Sequence, residues 1–573
     1  MTTQRTHVTR LALLPILTAA GCAQIIGIED WKEDGGPGPQ EDASADARPP
    51  GAPYVTSVSP ESNSTGISTT AEIRAVFSEP MDPATINTTT VKVAIGTQAL
   101  PGTVSYEAAT MSAVIRLEHP LTLAARCDVT VDGAITDLEG NAMGESHGWK
   151  FTVRDGSWGS PVGIQPQARD AFYPNIAIDS AGNAVAIWQQ LKPSSTTSSD
   201  MWANRFAART GKWDTPTKPL SPNNGEVFFV PDVSIRPDGS AIAVWARSLN
   251  PGLELLAAPM AADGTWKDGV PINSKWGGYP FEFHISTDEN DAIVAWVDGS
   301  GAKTNARVKH FKSGAWKEFK DIDFSDAQVR DYSVRTTMDS AGNAVVIWIQ
   351  YDGAQSIWRS YLRPSGDWAT AAVLEDRPGD VHNADVVANS QGDVLTVWTQ
   401  TDGKAESVWV RRGTTAGAWD APPDTPLDIG DSPVDGAAVA VSDDGTAMVV
   451  WTQPERGVRS VWARRYVPMA GWDKEPTLVE KHDTEVSPLW IQVRLDGAGN
   501  AIVAWLEPSG GGVSLWINRF TAAQGWKPEP QLIATGLPAP SSEVPIYELT
   551  ASKTGFAAIA WEAQKRIMAN VFR

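Results

Sequence analysis

One short apolar run that ends in tryptophan recurs through most of the chain, and it restricts the possible folds more than any other feature. The run appears as AVAIW, AIAVW, AIVAW, AVVIW, VLTVW, AMVVW, AIVAW and AAIAW. Its tryptophans are separated by 57, 51, 52, 50, 53, 54 and 56 residues. A repeat of about 50 residues predicts an array of similar structural units. The tryptophans are Trp188, Trp245, Trp296, Trp348, Trp398, Trp451, Trp505 and Trp561.

Each unit holds four strand-like segments joined by turns that contain glycine. In the first unit, NIAID turns through SAGN into AVAIW, and MWANRFAA turns through RTGK into WDTPTKPL. A second tryptophan follows the second turn in seven units, and the missing eighth copy stands upstream at Trp158. A closed ring can divide one sheet between the two chain ends, whereas a linear array has no reason to do so. We therefore predict an eight-bladed β-propeller over residues 154–573 that is closed by pairing of N-terminal and C-terminal strands.

The repeated run is apolar at every position, which indicates a strand that is buried on both faces. An antiparallel strand with one wet face would alternate polar and apolar residues. A strand between two neighbouring sheets of a ring has two dry faces, and each buried tryptophan can contribute a few kcal/mol. The 25 Trp against 9 Tyr in the chain therefore have a structural explanation.

The N-terminus carries a short apolar segment between arginines and a cysteine. Residues 11–20 are too few to span a bilayer, which takes about 20 residues, but they suit the apolar part of a signal peptide. They lead into Gly21-Cys22, and AAGC resembles the lipobox of bacterial lipoproteins, although Ala19 stands where that family most often has Leu. The resemblance implies lipidation of Cys22, and Ala23 after it favours the outer membrane. The alternative is an ordinary secretory signal with an incidental cysteine.

These features divide the N-terminal region into two segments and predict the cellular location of the protein. Residues 1–21 are expected to be the signal peptide. Residues 22–52 are rich in Pro, Gly, Ala and acidic residues, which predicts a disordered acidic tether. We expect the protein to sit in the cell envelope, attached to a membrane through lipid on Cys22.

Residues 53–153 have a different sequence pattern, with short β-type runs separated by Pro, Gly, Asn and Asp. About seven strands in roughly 100 residues predict a β-sandwich. The segments FSEPMDPATIN (77–87) and ITDLEGNAM (135–143) resemble signatures of bacterial Ig-like domains of the SbsA, or S-layer, type. The resemblance implies a spacer or adhesive module. Cys127 lies in an apolar strand and is expected to be a buried thiol.

The net charge and the absence of known motifs exclude several classes of function. The balance of 47 Lys+Arg against 68 Asp+Glu gives a net charge of −21, which repels phosphate backbones and makes nucleic acid an unsuitable partner. Two cysteines and seven scattered histidines show no metal-ligand spacing, so we predict no metal or cofactor. The sequence also contains no nucleophile elbow, phosphate-binding loop or zinc-protease motif, and we predict no catalytic residue.

Candidate ligand contacts lie in the loops that join strands two and three of a unit and those that join consecutive units. Propeller ligands usually lie where these two sets of loops meet. The loops include QQLKPSSTTSSD (189–200), NSKWGGYP (273–280), EDRPGDVHN (375–383) and EKHDTEVSP (480–488). The predicted contact residues are Trp276, Tyr279, Tyr351, His382 and His482.

A further tryptophan begins the third strand in five units, and arginine follows three residues later in four of them. Packing, with arginine stacked across neighbouring sheets, explains the pattern. A repeated sugar-binding surface built from aromatic and arginine pairs is the alternative. The residues are Trp202, Trp358, Trp409, Trp462 and Trp516, with Arg205, Arg412, Arg465 and Arg519.

The sequence thus predicts an envelope lipoprotein whose propeller is a non-catalytic binding module for glycan or protein. One alternative is a carbohydrate hydrolase or lyase with its site at the channel mouth, and another is a structural scaffold. Acidic side chains clustered on the ligand face would favour the enzyme, whereas scattered acids with exposed aromatic rings would favour binding.

Overall fold

A computed structural model describes residues 51–573, and Gly51–Arg573 form one compact unit. In this part the regular elements are β-strands, apart from two 3-10 turns at Pro83–Thr85 and Ala108–Thr110, so the predicted all-β fold is confirmed. The predicted signal peptide, Cys22 and most of the tether lie outside the described residues. Short gaps in the description fall at 167–168, 194, 217, 221–226, 249–251, 274–278, 301–302, 324–326, 332, 364, 402–403, 424, 482–484, 488–489 and 541–544.

Two four-stranded antiparallel sheets form the first module, with strand orders β1-β2-β6-β5 and β4-β3-β7-β8. Both sheets contribute to one core that contains Phe77, Cys127 and Phe151. Burial raises the pKa of the Cys127 thiol to about 12, so this thiol is inert while the module is folded. The strands are β1 (Val55–Ser59), β2 (Ile73–Phe77), β3 (Val91–Ile95), β4 (Gln98–Ala99), β5 (Gly102–Glu107), β6 (Ser112–Leu117), β7 (Arg126–Val131) and β8 (His147–Thr152).

The described strands after residue 160 form eight antiparallel sheets, here ring sheets 1 to 8 in chain order. Within each sheet the strands are paired in chain order from the inside outward, except that the fifth strand of sheets 3, 6 and 7 pairs with the third strand. Sheet 8 takes its outer strand from the start of the ring. The strands are β9 (Val162–Gly163); β10 (Ala171–Ile178), β11 (Ala184–Leu191), β12 (Ser199–Ala207) and β13 (Lys212–Trp213) in sheet 1; β14 (Val227–Ile235), β15 (Ala241–Ser248), β16 (Leu253–Met260) and β17 (Val270–Pro271) in sheet 2; β18 (Tyr279–Thr287), β19 (Ala292–Ser300), β20 (Lys303–Lys312), β21 (Ala315–Trp316) and β22 (Lys320–Asp321) in sheet 3; β23 (Arg335–Met338), β24 (Ala344–Tyr351), β25 (Gln355–Leu362) and β26 (Ala372–Val373) in sheet 4; β27 (Val381–Ala388), β28 (Asp393–Thr401) and β29 (Glu406–Thr414) in sheet 5; β30 (Ala437–Val441), β31 (Ala447–Glu455), β32 (Val458–Val467), β33 (Gly471–Trp472) and β34 (Thr477–Leu478) in sheet 6; β35 (Gln492–Leu495), β36 (Ala501–Ser509), β37 (Gly512–Thr521), β38 (Gly525–Trp526) and β39 (Gln531–Leu537) in sheet 7; and β40 (Tyr547–Ala551), β41 (Ala557–Ala563) and β42 (Arg566–Phe572) in sheet 8.

The sheets close into a ring, and the two ends of the chain join in sheet 8. The first strands of consecutive sheets pack side by side, and β40 of the last sheet packs beside β10 of the first. The outer strand β9 pairs with β42, with Met568 opposite Gly163. The indole of Trp158 packs on Phe572 with ring centroids 5.5 Å apart. The predicted propeller and its terminal closure are therefore present in the structure.

The repeated tryptophans fill the space between sheets, and most have a partner two residues later. All eight are at most 2% exposed. In sheet 6, for example, the Trp451 indole N–H donates to Gln453 Oε1 at 3.1 Å. The Gln453 amide in turn donates to the carbonyls of Ile429 and Ser432, at 2.9 and 2.8 Å. The Trp-x-Gln pattern therefore satisfies a buried indole and anchors the loop between sheets 5 and 6.

The AGN triplet is explained by the turn between the first and second strands. Asp179 Oδ1 accepts the backbone N–H groups of Ala181 and Asn183, at 2.9 and 2.8 Å. Gly182 takes a φ of +84°, a conformation that strains other residues. Asn183 Oδ1 then accepts the N–H of Ala208 at 3.1 Å, which ties this turn to the next turn of the same sheet.

The Ig-like module packs directly against ring sheets 7 and 8. Leu123 is fully buried within the core shared by those sheets and sheet 1. Its backbone N–H donates to Thr554 O at 3.0 Å, and its carbonyl accepts from Asn500 Nδ2 at 3.1 Å. Asp155, after the module, forms an ion pair with Arg519 at 3.1 Å. Hydrogen bonds and apolar contact therefore hold the module on the ring.

Third-strand arginines stack on aromatic rings of the following sheet, which agrees with the packing interpretation of the Trp/Arg pattern. Arg412 lies 4.3 Å from the ring centroid of Tyr466, and Arg519 lies 4.8 Å from that of Phe572. Such cation–π contacts stabilise the junction between sheets. Sheet 2 has Pro259 at the equivalent position, and there Arg236 of a turn stacks on a ring of sheet 3 instead.

Candidate functional site

The described ring has two different ends. The turns between first and second strands lie at one end, here the turn end, and the loops that carry the predicted contact residues lie at the other, here the loop end. Of those residues, Trp276 and His482 lie outside the described residues, and so does the side chain of Tyr279 at the start of β18. Tyr351 is 57% exposed at the end of β24, and His382 is the second residue of β27.

The structure connects Tyr351 and His382 through two residues that the sequence did not single out. Tyr351 is opposite Gln355 in the β24–β25 pairing. Arg330 Nη1 donates to Gln355 Oε1 at 2.8 Å and lies 3.0 Å from His382 Nδ1. Asp380 accepts the backbone N–H of Gln355 at 2.8 Å. These five residues form one patch at the loop end of sheets 4 and 5, here the Tyr351–His382 patch.

The contact with Arg330 fixes the protonation state of His382. A guanidinium can only donate, so Nδ1 of His382 must accept and Nε2 must carry the proton of the neutral ring. Burial, and then the charge of Arg330, lower the pKa of His382 below its usual value of 6.5. The imidazole is therefore neutral at pH 7 and can offer an Nε2–H donor to a ligand.

A pair of carboxyl groups lies next to the patch in sheet 4. Ser356 Oγ donates to Asp352 Oδ1 at 2.9 Å and also hydrogen-bonds Glu375. Burial raises the pKa of Glu375 to about 7, and the charges of Asp352 and Asp376 add to the rise. A carboxylic acid that keeps its proton near pH 7 beside an ionised carboxylate can serve acid–base chemistry.

Charged side chains of the first strands face the axial channel of the ring and form the channel belt. Arg335 Nη1 lies 2.6 Å from Glu282 Oε1, and Arg494 Nη2 lies 2.8 Å from Glu548 Oε1. His284 Nδ1 is 3.4 Å from Asp232 Oδ2. The belt comprises Asp232, Glu282, His284, Arg335, Asp385, Arg494 and Glu548.

The belt groups influence one another across sheets. Burial and Arg335 act to lower the pKa of His284, but its bonds to Asp232 and Glu282 prevail and raise it to about 9, so the imidazole is a cation at pH 7. Burial raises the pKa of Glu548, and the charge of Asp232 from sheet 2 adds to the rise. Groups from sheets 2, 3 and 8 therefore share one lumen.

A cavity of about 310 Å³ opens at the turn end, opposite the predicted contact loops. Three consecutive residues from each of the eight turns line it. Aliphatic side chains such as Ile178 and Leu495 lie inside, and polar residues form the rim. Lys553 Nζ reaches past Gly497 to Asp443 Oδ2 at 2.8 Å, so one ion pair joins sheets 8 and 6 across the rim.

Two features are absent from the described part of the chain. No group of three or more His, Cys, Asp or Glu side chains has an arrangement suited to a metal ion. Among the described residues, no helix has both the length and the apolar character needed to cross a bilayer.

Comparison with known proteins defines the first module and leaves the ring without a functional assignment. Residues 50–153 match the family model described as a bacterial Ig-like domain, which confirms the predicted Ig-like module. No curated protein matches the chain.

The solved structures that are similar to the chain include three of different activity. One is the β-propeller domain of the trilobed protease from Pyrococcus furiosus, at 11% identity and a TM-score of 0.36, covering 57% of this chain and 90% of that one. Another is the fucose-specific lectin from Aleuria aurantia, at 13% identity and a TM-score of 0.33, covering 56% of this chain and 100% of that one. A third is an α-L-arabinofuranosidase from Fusarium graminearum, at 12% identity and a TM-score of 0.32, covering 54% of this chain and 97% of that one. Likenesses this distant assign no function to the chain.

The channel belt was missed because no single motif marks it, although the repeat contains the signal. When the units are aligned on the first turn, the fourth residue before the turn is polar or charged in seven of the eight units. The aligned residues are Asn175, Asp232, His284, Arg335, Asp385, Ala438, Gln492 and Glu548.

Proposed function

We propose that the chain is a cell-envelope lipoprotein that is anchored through lipid on Cys22 and consists of a tether, an S-layer-type Ig-like module and a propeller. In this proposal the propeller is a non-catalytic binding module for a glycan or a protein of the envelope. Anchorage would be tested by labelling cells with radioactive palmitate. Label is expected on the chain and lost in Cys22→Ser, and label that survives this substitution would contradict the anchor.

The Tyr351–His382 patch is the observation that supports binding. An exposed aromatic ring offers a flat apolar face for the C–H groups of a sugar and loses little side-chain freedom on contact. Beside it, Gln355, Arg330 and the neutral His382 supply planar hydrogen-bonding groups. A few fixed polar groups next to an aromatic surface suit a polyhydroxylated ligand.

A glycan array probed with the full-length protein tests this proposal. We expect binding to a limited set of glycans, with an affinity at least tenfold lower in Tyr351→Ala and in His382→Ala. Tyr54→Ala is the matched control, because Tyr54 is also exposed but lies on the Ig-like module. Absence of binding on the array and in pull-downs from envelope extracts would reject the proposal, as would equal binding by the Tyr351 variant.

A second candidate function is a carbohydrate hydrolase or lyase with its site at the loop end. The observation that favours it is the raised pKa of Glu375 beside Asp352, because glycoside cleavage uses one protonated and one ionised carboxyl group. Release of reducing ends from envelope polysaccharides would reveal the activity. Under this alternative, Glu375→Gln abolishes release and retains binding, whereas equal release by the variant would rule out Glu375 as the acid.

A further inference from the structure

In the channel belt, the cations are more accessible from the lumen than the acids that pair with them. The side chains of His284, Arg494 and Arg335 are 35%, 34% and 26% exposed. Their partners Glu548, Asp232 and Glu282 are 20%, 15% and 14% exposed. A solute in this part of the channel therefore reaches the cations of these three pairs more readily than their carboxylates, and Asp385 is the one further acid of the belt.

Two acids of the belt, Asp232 and Glu548, are occupied at both oxygens by donors from the protein. Both oxygens of Asp232 accept backbone N–H groups, from Val233 and Ile285 at 2.9 Å each. Glu548 accepts from Arg494 at 2.8 Å and from Gln492 at 3.1 Å. These carboxylates are therefore held in place and satisfied before any ligand arrives.

The arginines, in contrast, retain donors that the described residues do not use. Both hydrogen bonds of Arg335 leave from Nη1, to Glu282 Oε1 and to Val334 O. Arg494 uses Nη1 and Nη2 once each, for Val493 O and Glu548. Within the described residues, the Nε groups of both arginines and Nη2 of Arg335 have no partner. The one unpaired acceptor of these pairs, Glu282 Oε2, is fully buried.

Closure of the ring does not require these charges. At the place of Arg335, sheets 1 and 6 have Asn175 and Ala438, and at the place of Arg494 they have Ala177 and Ala440. The ring is continuous at both sheets. Buried ion pairs contribute little net stability, because desolvation offsets the attraction between the charges. Packing alone therefore leaves Arg335 and Arg494 unexplained.

We propose that the axial channel binds an anionic group, a carboxylate or a sulfate or phosphate ester, through the donors that Arg335 and Arg494 leave unused. Arginine binds such groups through two parallel N–H donors in a planar fork. The anion can be free in solution or carried by an acidic sugar. The site lies in the channel, on residues other than those of the Tyr351–His382 patch, and does not depend on the function proposed for that patch.

Isothermal titration of the full-length protein with four probes tests the proposal. The probes are glucuronate, inorganic sulfate, glucose and glucosamine. We expect saturable binding of glucuronate, of sulfate or of both, and none of glucose or glucosamine. Binding of sulfate alone would identify a site for free inorganic anions, and tighter binding of glucuronate would identify an acidic sugar. Binding of glucosamine or glucose as tightly as glucuronate overturns the proposal, as does binding of none of the four.

Variants then locate the anion in the channel. Arg494→Gln and Arg335→Gln should each weaken anion binding at least about tenfold, since a charge-assisted bond is lost. Arg459→Gln is the control, because Arg459 also pairs with two carboxylates, Asp435 and Glu485, but is not part of the belt. Arg335→Lys keeps the charge without the fork and serves if the glutamine variants misfold. Unchanged affinity in correctly folded belt variants would refute the site, whereas Tyr351→Ala should leave anion binding intact.

Discussion

Gln453→Leu tests the claim that glutamine two residues after tryptophan stabilises the ring. Gln453 is 2% exposed and Trp451 is fully buried. The substitution removes the acceptor of the Trp451 indole N–H and the donor to the carbonyls of Ile429 and Ser432. Leucine has similar bulk, so the main loss is in hydrogen bonding rather than volume.

The magnitude follows from the groups left without partners. Each buried polar group that loses its partner costs about 1–3 kcal/mol. The indole N–H of Trp451 has no route to water, whereas the two loop carbonyls can be partly hydrated. We therefore expect Gln453→Leu to lower the free energy of unfolding by about 2–5 kcal/mol.

Urea denaturation followed by tryptophan fluorescence measures the loss as a lower midpoint at an unchanged slope. Trp451→Phe and the double variant complete a cycle, with an expected coupling of about 1–2 kcal/mol between the two side chains. Sheet 2 supplies an internal comparison. There Arg247 stands two residues after Trp245 and cannot accept, and the Trp245 indole N–H has no partner among the described residues. Trp245→Phe should therefore cost less than Trp451→Phe.

Two results would refute the reasoning. One is a loss below about 0.5 kcal/mol for Gln453→Leu, which would mean that the indole N–H needs no partner. The other is an equal cost for Trp245→Phe and Trp451→Phe, which would mean that only the volume of the indole matters.

Three further predictions follow from burial and charge. Leu123→Ala should lower the free energy of unfolding by about 2–5 kcal/mol, because Leu123 is fully buried against the ring. Leu138→Ala, at a position that is 68% exposed, should leave it unchanged. Equal effects of the two variants in urea denaturation would contradict the docking of the Ig-like module. Phe572→Ala should cost about 3–5 kcal/mol and speed proteolysis near the C-terminus, and unchanged proteolysis would show that the closure does not depend on the Trp158 contact. The free energy of unfolding should fall as pH rises from 4.5 to about 7, because the folded chain keeps the proton of Glu375 that the unfolded chain releases. Glu375→Gln should remove this part of the pH profile. An identical profile in the variant would mean that the pKa of Glu375 lies near its usual value.

The sequence predicted the parts of the fold that repeat, because repetition makes a weak pattern readable. Tryptophan at the same place in eight units marked the second strands, and one displaced copy at Trp158 marked the closure. Tyr351 and His382 could be selected because propeller loops of these two types meet at one end. Arg330 in a loop and Gln355 at the start of β25 connect them, and neither position has an equivalent pattern in the other units.

The cavity at the turn end illustrates a different limit of sequence analysis. Its lining residues belong to the turns that are easiest to recognise, with AGN as their most regular form. Local roles explain the regular residues of these turns, since Asp179, for example, caps its own turn. That eight such turns surround one cavity follows only from closure of the ring, which is a property of the whole chain.

Departures from the repeat help to separate packing from function. Pro259 in sheet 2 interrupts the series of stacked third-strand arginines, and Arg236 restores the same contact from a turn, 5.7 Å from the ring centroid of Phe311. The C-terminal Arg573 makes a similar contact with Phe206. Both departures preserve an existing contact, so a structural role accounts for them.

Arg335 and Arg494 place positive charge in the channel without making a stacking contact of this kind. Their positions are occupied by Asn175 and by Ala177 in sheet 1, which complete the same ring without charge. Each arginine instead introduces a charge that the channel must stabilise with a carboxylate from the neighbouring sheet. Since neutral residues fill both places in sheets 1 and 6, an arginine that must be desolvated there indicates a ligand rather than a packing requirement.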